Sequence, residues 1–393
     1  MDAVDLDAGA PGAFTPDSGV IAEMVGRPLR FESTRYLPAD TYAEVAGDRV
    51  WRAFRSLGLT GESRESILAL LHELTEPWGR LPVGTPPGRA CWVSIDGMPC
   101  ELSLAWADGR AGVRMSLESP RGDARQRMAD GMALTRRLAG RPEVSIDPCL
   151  RVEDLFTADD PQGYFSVAHA VAWRPGGHPA YKVFLNPAVA GREQAAARTG
   201  EAMARLGLER PWRALTEHLG GWHGPEHEPA AVAMDLVAGD AFRVQVYVAH
   251  SGASAEDIDA KSAVAGDHVP GSFARALREI NGPDGGAEWK RKPPVTTFSF
   301  RPGQDVPGAT VYVPMIPVHD HDAAARDRVA AFLRREGMDP VPYTAALDAL
   351  ADRPLARSRT QNFVSYRGGD SPRFSVYLAT GTYHPADGAG AAG

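Results

Sequence analysis

The chain is poor in several things, and each shortage removes a class of protein. It has only three cysteines, Cys91, Cys100 and Cys149, in no CxxC spacing. An odd, scattered set argues against a disulfide framework and fits a reducing cytoplasm. Positive charge is short overall: 42 basic against 50 acidic residues leave a net charge of −8. That balance speaks against a nucleic-acid or anionic-membrane partner. Lysine is scarcest, at Lys182, Lys261, Lys290 and Lys292. No apolar run approaches the ~20 residues of a membrane-spanning helix. The start, MDAVDLDAGAPGAF, has neither the basic nor the apolar region of a signal peptide. P-loop, GxSxG elbow, Rossmann fingerprint and DDxxD motif are all missing. His319-Asp-His321-Asp322 reads as a helix start capped by aspartate rather than a metal site. His223-Gly-Pro-Glu226-His227 lacks the HExxH order and carries a helix-breaking proline. Neither metal nor cofactor is expected.

What remains is an ordinary globular balance, 44% apolar and 23% charged, sufficient for a sizeable core. Residues 1–28 are rich in Gly, Ala, Asp and Pro and read as a mobile lead-in, and 385–393 as a mobile tail. Between them, 29–384 contain no linker-like stretch and read as one domain.

Within that stretch a repeat of architecture recurs five times. Two strand-like runs flank a turn: CELSLAW with GVRMSLE, YFSVAHAVAW with YKVFLNP, AAVAMDLV with FRVQVYVAH, VTTFSF with TVYVPM, and NFVSY with RFSVYLAT. The runs are β-branched and aromatic, and their joints carry Gly, Pro, Asp and Asn, which is the hairpin signature. Between hairpins the apolar period becomes helical, as in YAEVAGDRVWRAFRSLGL and REQAAARTGEAMARLGL. Ser254-Ala-Glu-Asp257 reads as a capping box. Ten antiparallel strands with helices between the hairpins hide both edges by closing into a barrel, helices outside and a ligand chamber within. Two separate α+β domains are the alternative.

The second strands of the hairpins begin with Arg114, Lys182, Arg243, Thr310 and Arg373, spaced 61 to 68 residues apart. Phe184, Tyr247, Tyr312 and Tyr377 follow two or four places later. Residues two apart on a strand share a face. Closure therefore gathers the cations into a belt inside the chamber, aromatics beside them, with Val183, Val244, Val246 and Val376 turned outward. Buried cations need a counter-charge. A diphosphate suits arginine's bidentate donors, and each cation ~4 Å from a phosphate charge gains about 4 kcal/mol before desolvation. Aromatic faces stabilise cations by roughly 2 kcal/mol when desolvated. The pairing suits ionisation of an allylic diphosphate and capture of the carbocation.

The pattern resembles the dimethylallyltryptophan synthase family of aromatic prenyltransferases, from about residue 30 to 384. More narrowly it is similar to bacterial tryptophan dimethylallyltransferases, particularly those that modify C6 of the indole. The strongest match is Met98-Pro-Cys-Glu101-Leu-Ser-Leu. The resemblance implies a barrel of ten antiparallel strands ringed by helices. It implies transfer of a dimethylallyl group from dimethylallyl diphosphate to L-tryptophan, without metal. It implies that Glu101 binds the indole N–H, and that Arg114, Lys182, Arg243, Gln245, Thr310 and Arg373 hold diphosphate. Phe184, Tyr247, Tyr312, Tyr366 and Tyr377 would shield the allylic cation, and His169 would stand where the family places the lysine that takes the final ring proton. Phe184, Gln245 and Thr310 depart from the tyrosine, lysine and glutamine of many fungal relatives. Two other readings fit the same residues: another indole, an indole cyclic dipeptide or a phenol as acceptor, or a non-catalytic carrier of an anionic ligand.

Overall fold

A computed structural model describes residues 28–173, 177–222, 227–282, 289 and 291–385. The lead-in through residue 27, residues 223–226 of the histidine run and the tail from 386 lie outside the described residues. Lys290 does too.

The first hairpin shows how the chain is folded locally. β2 (Cys100–Ala107) and β3 (Arg110–Leu117) are joined by Asp108-Gly109, whose φ angles are 50° and 70°. Two consecutive positive φ values give the primed turn whose twist matches that of the flanking strands, and Asp-Gly is well suited to it. Four more antiparallel pairs follow: β4 (Val167–Trp173) with β5 (Ala180–Leu185), β6 (Glu228–Asp235) with β7 (Val244–Ala249), β8 (Val295–Phe300) with β9 (Gly308–Pro314), and β10 (Gln361–Arg367) with β11 (Arg373–Leu378). Each pair bonds to the next, and β11 bonds back to β2, so the ten strands close into a barrel. Outside it β1 (Leu29–Phe31) pairs with β12 (Tyr383–Pro385).

Helices fill the connections and cover the outer face. α1 (Tyr42–Ser56) lies on β2 and β3. Its start is fixed by a capping box between Thr41 and Glu44, which satisfies two otherwise orphaned donors. After α2 (Arg64–Leu74) comes α3 (Ala124–Leu138), which lies on β4. Gly131 permits that approach, since a Cβ there would stand 2.6 Å from Cβ of Val167. The short α4 (Asp147–Leu150) precedes α5 (Ala195–Arg205) and α6 (Glu209–Leu219), and α5 packs on β6. α7 (Ala255–Ser262) opens with the Ser254/Asp257 capping box expected from sequence. α8 (Ser272–Asn281) packs on β9 and β10, and α9 (Asp322–Arg335) and α10 (Val341–Leu350) complete the layer. At α9 the cap is His321, whose Nδ1 accepts from Ala324 N at 3.1 Å. Asp322, read as the cap, instead accepts from Thr360 N and Gln361 N.

Strand alternation sorts the side chains into two cores. Val113, Met115, Val171, Val183, Val244, Val246, Val311 and Val376 join the helices in the outer core. Ala168, Ala170, Phe184, Ala233, Tyr247, Tyr312, Phe363 and Tyr377 form a separate cluster in the lumen. Alanines on β4 and β6 keep the chamber wide. No helix among the described residues is long and apolar enough to cross a membrane.

Candidate active site

Register turns the sequence alignment into levels. Because barrel strands tilt, pairing drifts by a fixed offset from hairpin to hairpin. Arg114 pairs through Ala172 with Ala180, two short of Lys182. Lys182 pairs with Asp235, whose backbone N–H donates to Arg243 O, two short of Gln245. Gln245 pairs through Ser299 with Gly308, two short of Thr310. Ser375 pairs through Ala105 with Gly112, two short of Arg114. One level therefore runs round the barrel through Arg114, Lys182, Gln245, Thr310 and Ser375. The Lys182 ammonium donates to Gln245 Oε1 across it. Arg243 and Arg373 stand one inward-facing step further along. The sequence alignment had placed them in the same belt as Arg114. Their aromatics at four places rather than two were the signal of the offset.

On the other side of that level lies an aromatic collar. Phe184 and Tyr247 have ring centroids 6.1 Å apart, Tyr247 and Tyr312 5.9 Å, and Tyr312 and Tyr377 5.6 Å. All four are at most 1% exposed. Beyond Phe184, Trp92 stacks on Phe165 at 4.0 Å, so the 90–99 segment brings a ring into the lumen cluster.

The cations differ in their surroundings. Asp235, not singled out from sequence, lies 3.3 Å from Lys182 Nζ and accepts from Arg243 Nε at 3.0 Å. Despite burial, the charges of Arg243 and Lys182 and the hydrogen bonds from both hold its carboxyl below the usual range. Its place two residues beyond Ala233 put it on the lumen face by period alone. Arg114 is different. It is 1% exposed, and Nε, Nη1 and Nη2 are all buried with no hydrogen-bond partner among the described residues. A guanidinium in that setting calls for an anion in the lumen.

Glu101 is buried and pairs with Ser116, on the side of Arg114 away from the Arg373 end. Its Oε1 accepts from Asn362 Nδ2 at 2.7 Å. Its Oε2 is buried without a hydrogen-bond partner among the described residues. Burial pushes its carboxyl well above the ordinary value, while Asn362 and the charge of Lys292 pull it down. Asn362 and Lys292 escaped the sequence reading because nothing in their local pattern marks them.

Two expected residues do not reach the chamber. His169 alternates out of phase with Ala168 and Ala170 and points outward, its Nε2 2.8 Å from Thr135 Oγ1 on α3. Burial there drives its imidazole down to about 3. It does not reach a substrate ring in the lumen. The large residues Val167, Val171 and Trp173 share its parity and all sit in the outer core. Tyr366 also faces outward: its hydroxyl donates to Glu336, and its ring meets Phe332 of α9 edge-on at 4.9 Å. Phe363 and Ser365 face the lumen from β10.

A closed barrel of ten antiparallel strands around a cationic belt, an aromatic collar and a buried acid is the architecture of an aromatic prenyltransferase, and the chain is one. It belongs to the tryptophan dimethylallyltransferase family, whose profile matches residues 42–345. Among solved structures it is similar to a 6-dimethylallyl tryptophan synthase, at 30% identity over 88% of this chain and 98% of that one, with a TM-score of 0.80. The 6-dimethylallyltryptophan synthase from Micromonospora olivasterospora, solved with DMASPP and Trp, matches at 30% identity, 88% and 99% coverage and a TM-score of 0.79. The 5-dimethylallyltryptophan synthase from Streptomyces coelicolor matches at 28% identity, 87% and 98% coverage and a TM-score of 0.79. The fold extends to AnaPT from Neosartorya fischeri at 16% identity and a TM-score of 0.68.

Proposed function

We propose that the protein transfers a dimethylallyl group from dimethylallyl diphosphate to C6 of the indole of L-tryptophan by metal-independent Friedel–Crafts alkylation. The observation that carries the reading is the buried guanidinium of Arg114, without a hydrogen-bond partner among the described residues, set between further cations and a collar of aromatic rings. Arg114, Lys182, Gln245 and Thr310, with Arg243 and Arg373 one step away, receive the diphosphate. The C–O bond breaks and its electron pair leaves with the diphosphate, whose growing charge these donors offset. The allylic cation is left against Phe184, Tyr247, Tyr312 and Tyr377, whose π faces stabilise it and exclude water. Glu101 Oε2 accepts the indole N–H, orienting the ring and raising its electron density. A ring carbon attacks, and loss of its proton restores aromaticity. Positive charge from arginine and lysine takes the part that a divalent cation plays in other diphosphate chemistry. Favouring C6 are two solved structures of 6-dimethylallyltryptophan synthase at 30% identity, against 28% for the C5 enzyme.

Purified protein incubated with dimethylallyl diphosphate, L-tryptophan and excess EDTA tests the whole reading. The expected result is tryptophan heavier by one dimethylallyl unit by mass spectrometry, with the C6 substitution pattern by NMR. A C5 product would overturn the ring position alone. Product only on adding Mg²⁺ would overturn metal independence. Product only with an indole cyclic dipeptide would overturn the acceptor.

A further inference from the structure

Lys292 is wholly buried, yet its ammonium is fully engaged. Nζ donates to Ile316 O at 2.9 Å, to Asn362 O at 2.6 Å and to Asn362 Oδ1 at 2.5 Å. Three donors meet three acceptors, and the ring of Phe363 lies 4.1 Å from Nζ. Burial pushes the Lys292 amine well below its ordinary value, against the charge of Glu101; but a neutral amine would turn a lone pair toward one of these three oxygens, so the contacts favour the charged form.

The consequence passes through the Asn362 amide. Its Oδ1 faces Lys292 and its Nδ2 faces Glu101. Turned over, the amide would set oxygen against carboxylate and NH₂ against ammonium. Lys292 therefore fixes the amide with its donor end toward Glu101 Oε1. Oε2, buried and without a hydrogen-bond partner among the described residues, is the oxygen left for a substrate. The charged groups acting on Glu101 are Lys292, which favours the carboxylate, and Asp96, which disfavours it. Asp96 is itself engaged by Ser94, Thr380 and the Met98 and Thr382 N–H groups.

We infer that Lys292, acting through Asn362, is a positioning residue that holds Glu101 as the hydrogen-bond acceptor for the indole N–H. This rests on the proposed role of Glu101. Removing the lysine charge leaves the carboxylate in an apolar setting with only a reorientable amide for support, so Glu101 takes up a proton more readily and becomes a poorer acceptor.

The test compares wild type with Lys292→Met, Lys292→Arg and Glu101→Gln, using L-tryptophan and 1-methyltryptophan, which has no indole N–H. For Lys292→Met the expected result is kcat/KM for tryptophan at least tenfold lower at pH 7. The acid limb of the kcat/KM profile moves to higher pH, because activity requires ionised Glu101. KM for dimethylallyl diphosphate stays within about twofold, and the loss shrinks to near unity with 1-methyltryptophan. Lys292→Arg restores part of the limb position. If Lys292→Met does not fold, Asn362→Ala breaks the relay at the amide and must give the same limb shift and the same dependence on the N–H. An unmoved acid limb, or equal losses with both acceptors, overturns the role of Lys292. Undiminished tryptophan turnover by Glu101→Gln overturns instead the reading of Glu101 on which the inference rests.

Discussion

An arginine buried without a counter-ion weakens the protein that carries it, because the lost hydration is not returned by any neighbour. Arg114 is in that position, with its three guanidinium nitrogens unpartnered among the described residues. Function and stability therefore pull in opposite directions at this residue. Arg114→Met removes the charge and keeps most of the volume, so the ligand-free variant is expected to be more stable by about 1–3 kcal/mol, read as a higher denaturation midpoint. The same variant should lose about a hundredfold or more in kcat/KM for dimethylallyl diphosphate. A variant less stable than wild type would mean that the guanidinium is satisfied and that its place in the site has been misjudged. The place of Arg114 in the chamber was legible in the sequence because a cation recurs at the matching position on the second strands of other hairpins. Glu101 was legible because an acid between Cys100 and Leu102 in a strand is unusual, and because its segment resembles a known one. His169 and Tyr366 went wrong for one reason: a strand residue misplaced by one position changes face. On β4 the corrective signal was in the sequence, as Val167, Val171 and Trp173 share the parity of His169 and Ala168 and Ala170 do not. Lys292 and Asn362 could not be read at all, since their meeting with Glu101 joins positions far apart in the chain.

The elements were the most legible scale, because strand period, turn residues and helix period each report on short stretches. The hairpin partners and the interleaved helices follow from those signals. What they could not give was the vertical offset between hairpins, which depends on strand tilt. They also missed the 90–99 segment, whose backbone is held from outside its own stretch. Glu118, at the end of β3, accepts from Trp92 N at 2.6 Å and Val93 N at 3.2 Å. That grip supports the Trp92 ring on Phe165. Burial raises the Glu118 carboxyl to about 7, with Arg127 and the two backbone donors pulling the other way. The folded protein therefore holds this proton between about pH 4.5 and 7, where the unfolded chain releases it, and stability falls as pH rises through that window. Glu118→Gln retains an acceptor for both N–H groups and removes the proton. Its stability relative to wild type should improve between pH 5 and pH 8, by on the order of 2 kcal/mol. Denaturant unfolding at the two pH values measures it, and a pH-independent difference would place the titration elsewhere.

For the molecule as a whole, closure of the barrel governs how stability is shared. Every strand from β2 to β11 has two bonded neighbours, so no hairpin can leave without breaking ladders on both sides and exposing the lumen. The outer core runs without a break from α1 against β2 and β3 round to β11. This closure was expected from sequence, since ten strands in sequential hairpins leave two bare edges unless the first meets the last. The expectation that residues 29–384 form a single domain then becomes a thermodynamic statement: unfolding should be one cooperative transition. Inorganic diphosphate sharpens the test, because on the proposed function it would engage side chains from β3, β5, β7, β9 and β11 together. Diphosphate at about a hundred times its dissociation constant should stabilise the protein by about 2.7 kcal/mol, moving the whole calorimetric transition upward with its shape intact. Two transitions, only one of them shifted by diphosphate, would mean that the hairpins are not one cooperative unit. An unshifted single transition would leave the barrel cooperative but deny the cationic level its anion, and with it the counter-charge that makes the chamber's construction intelligible.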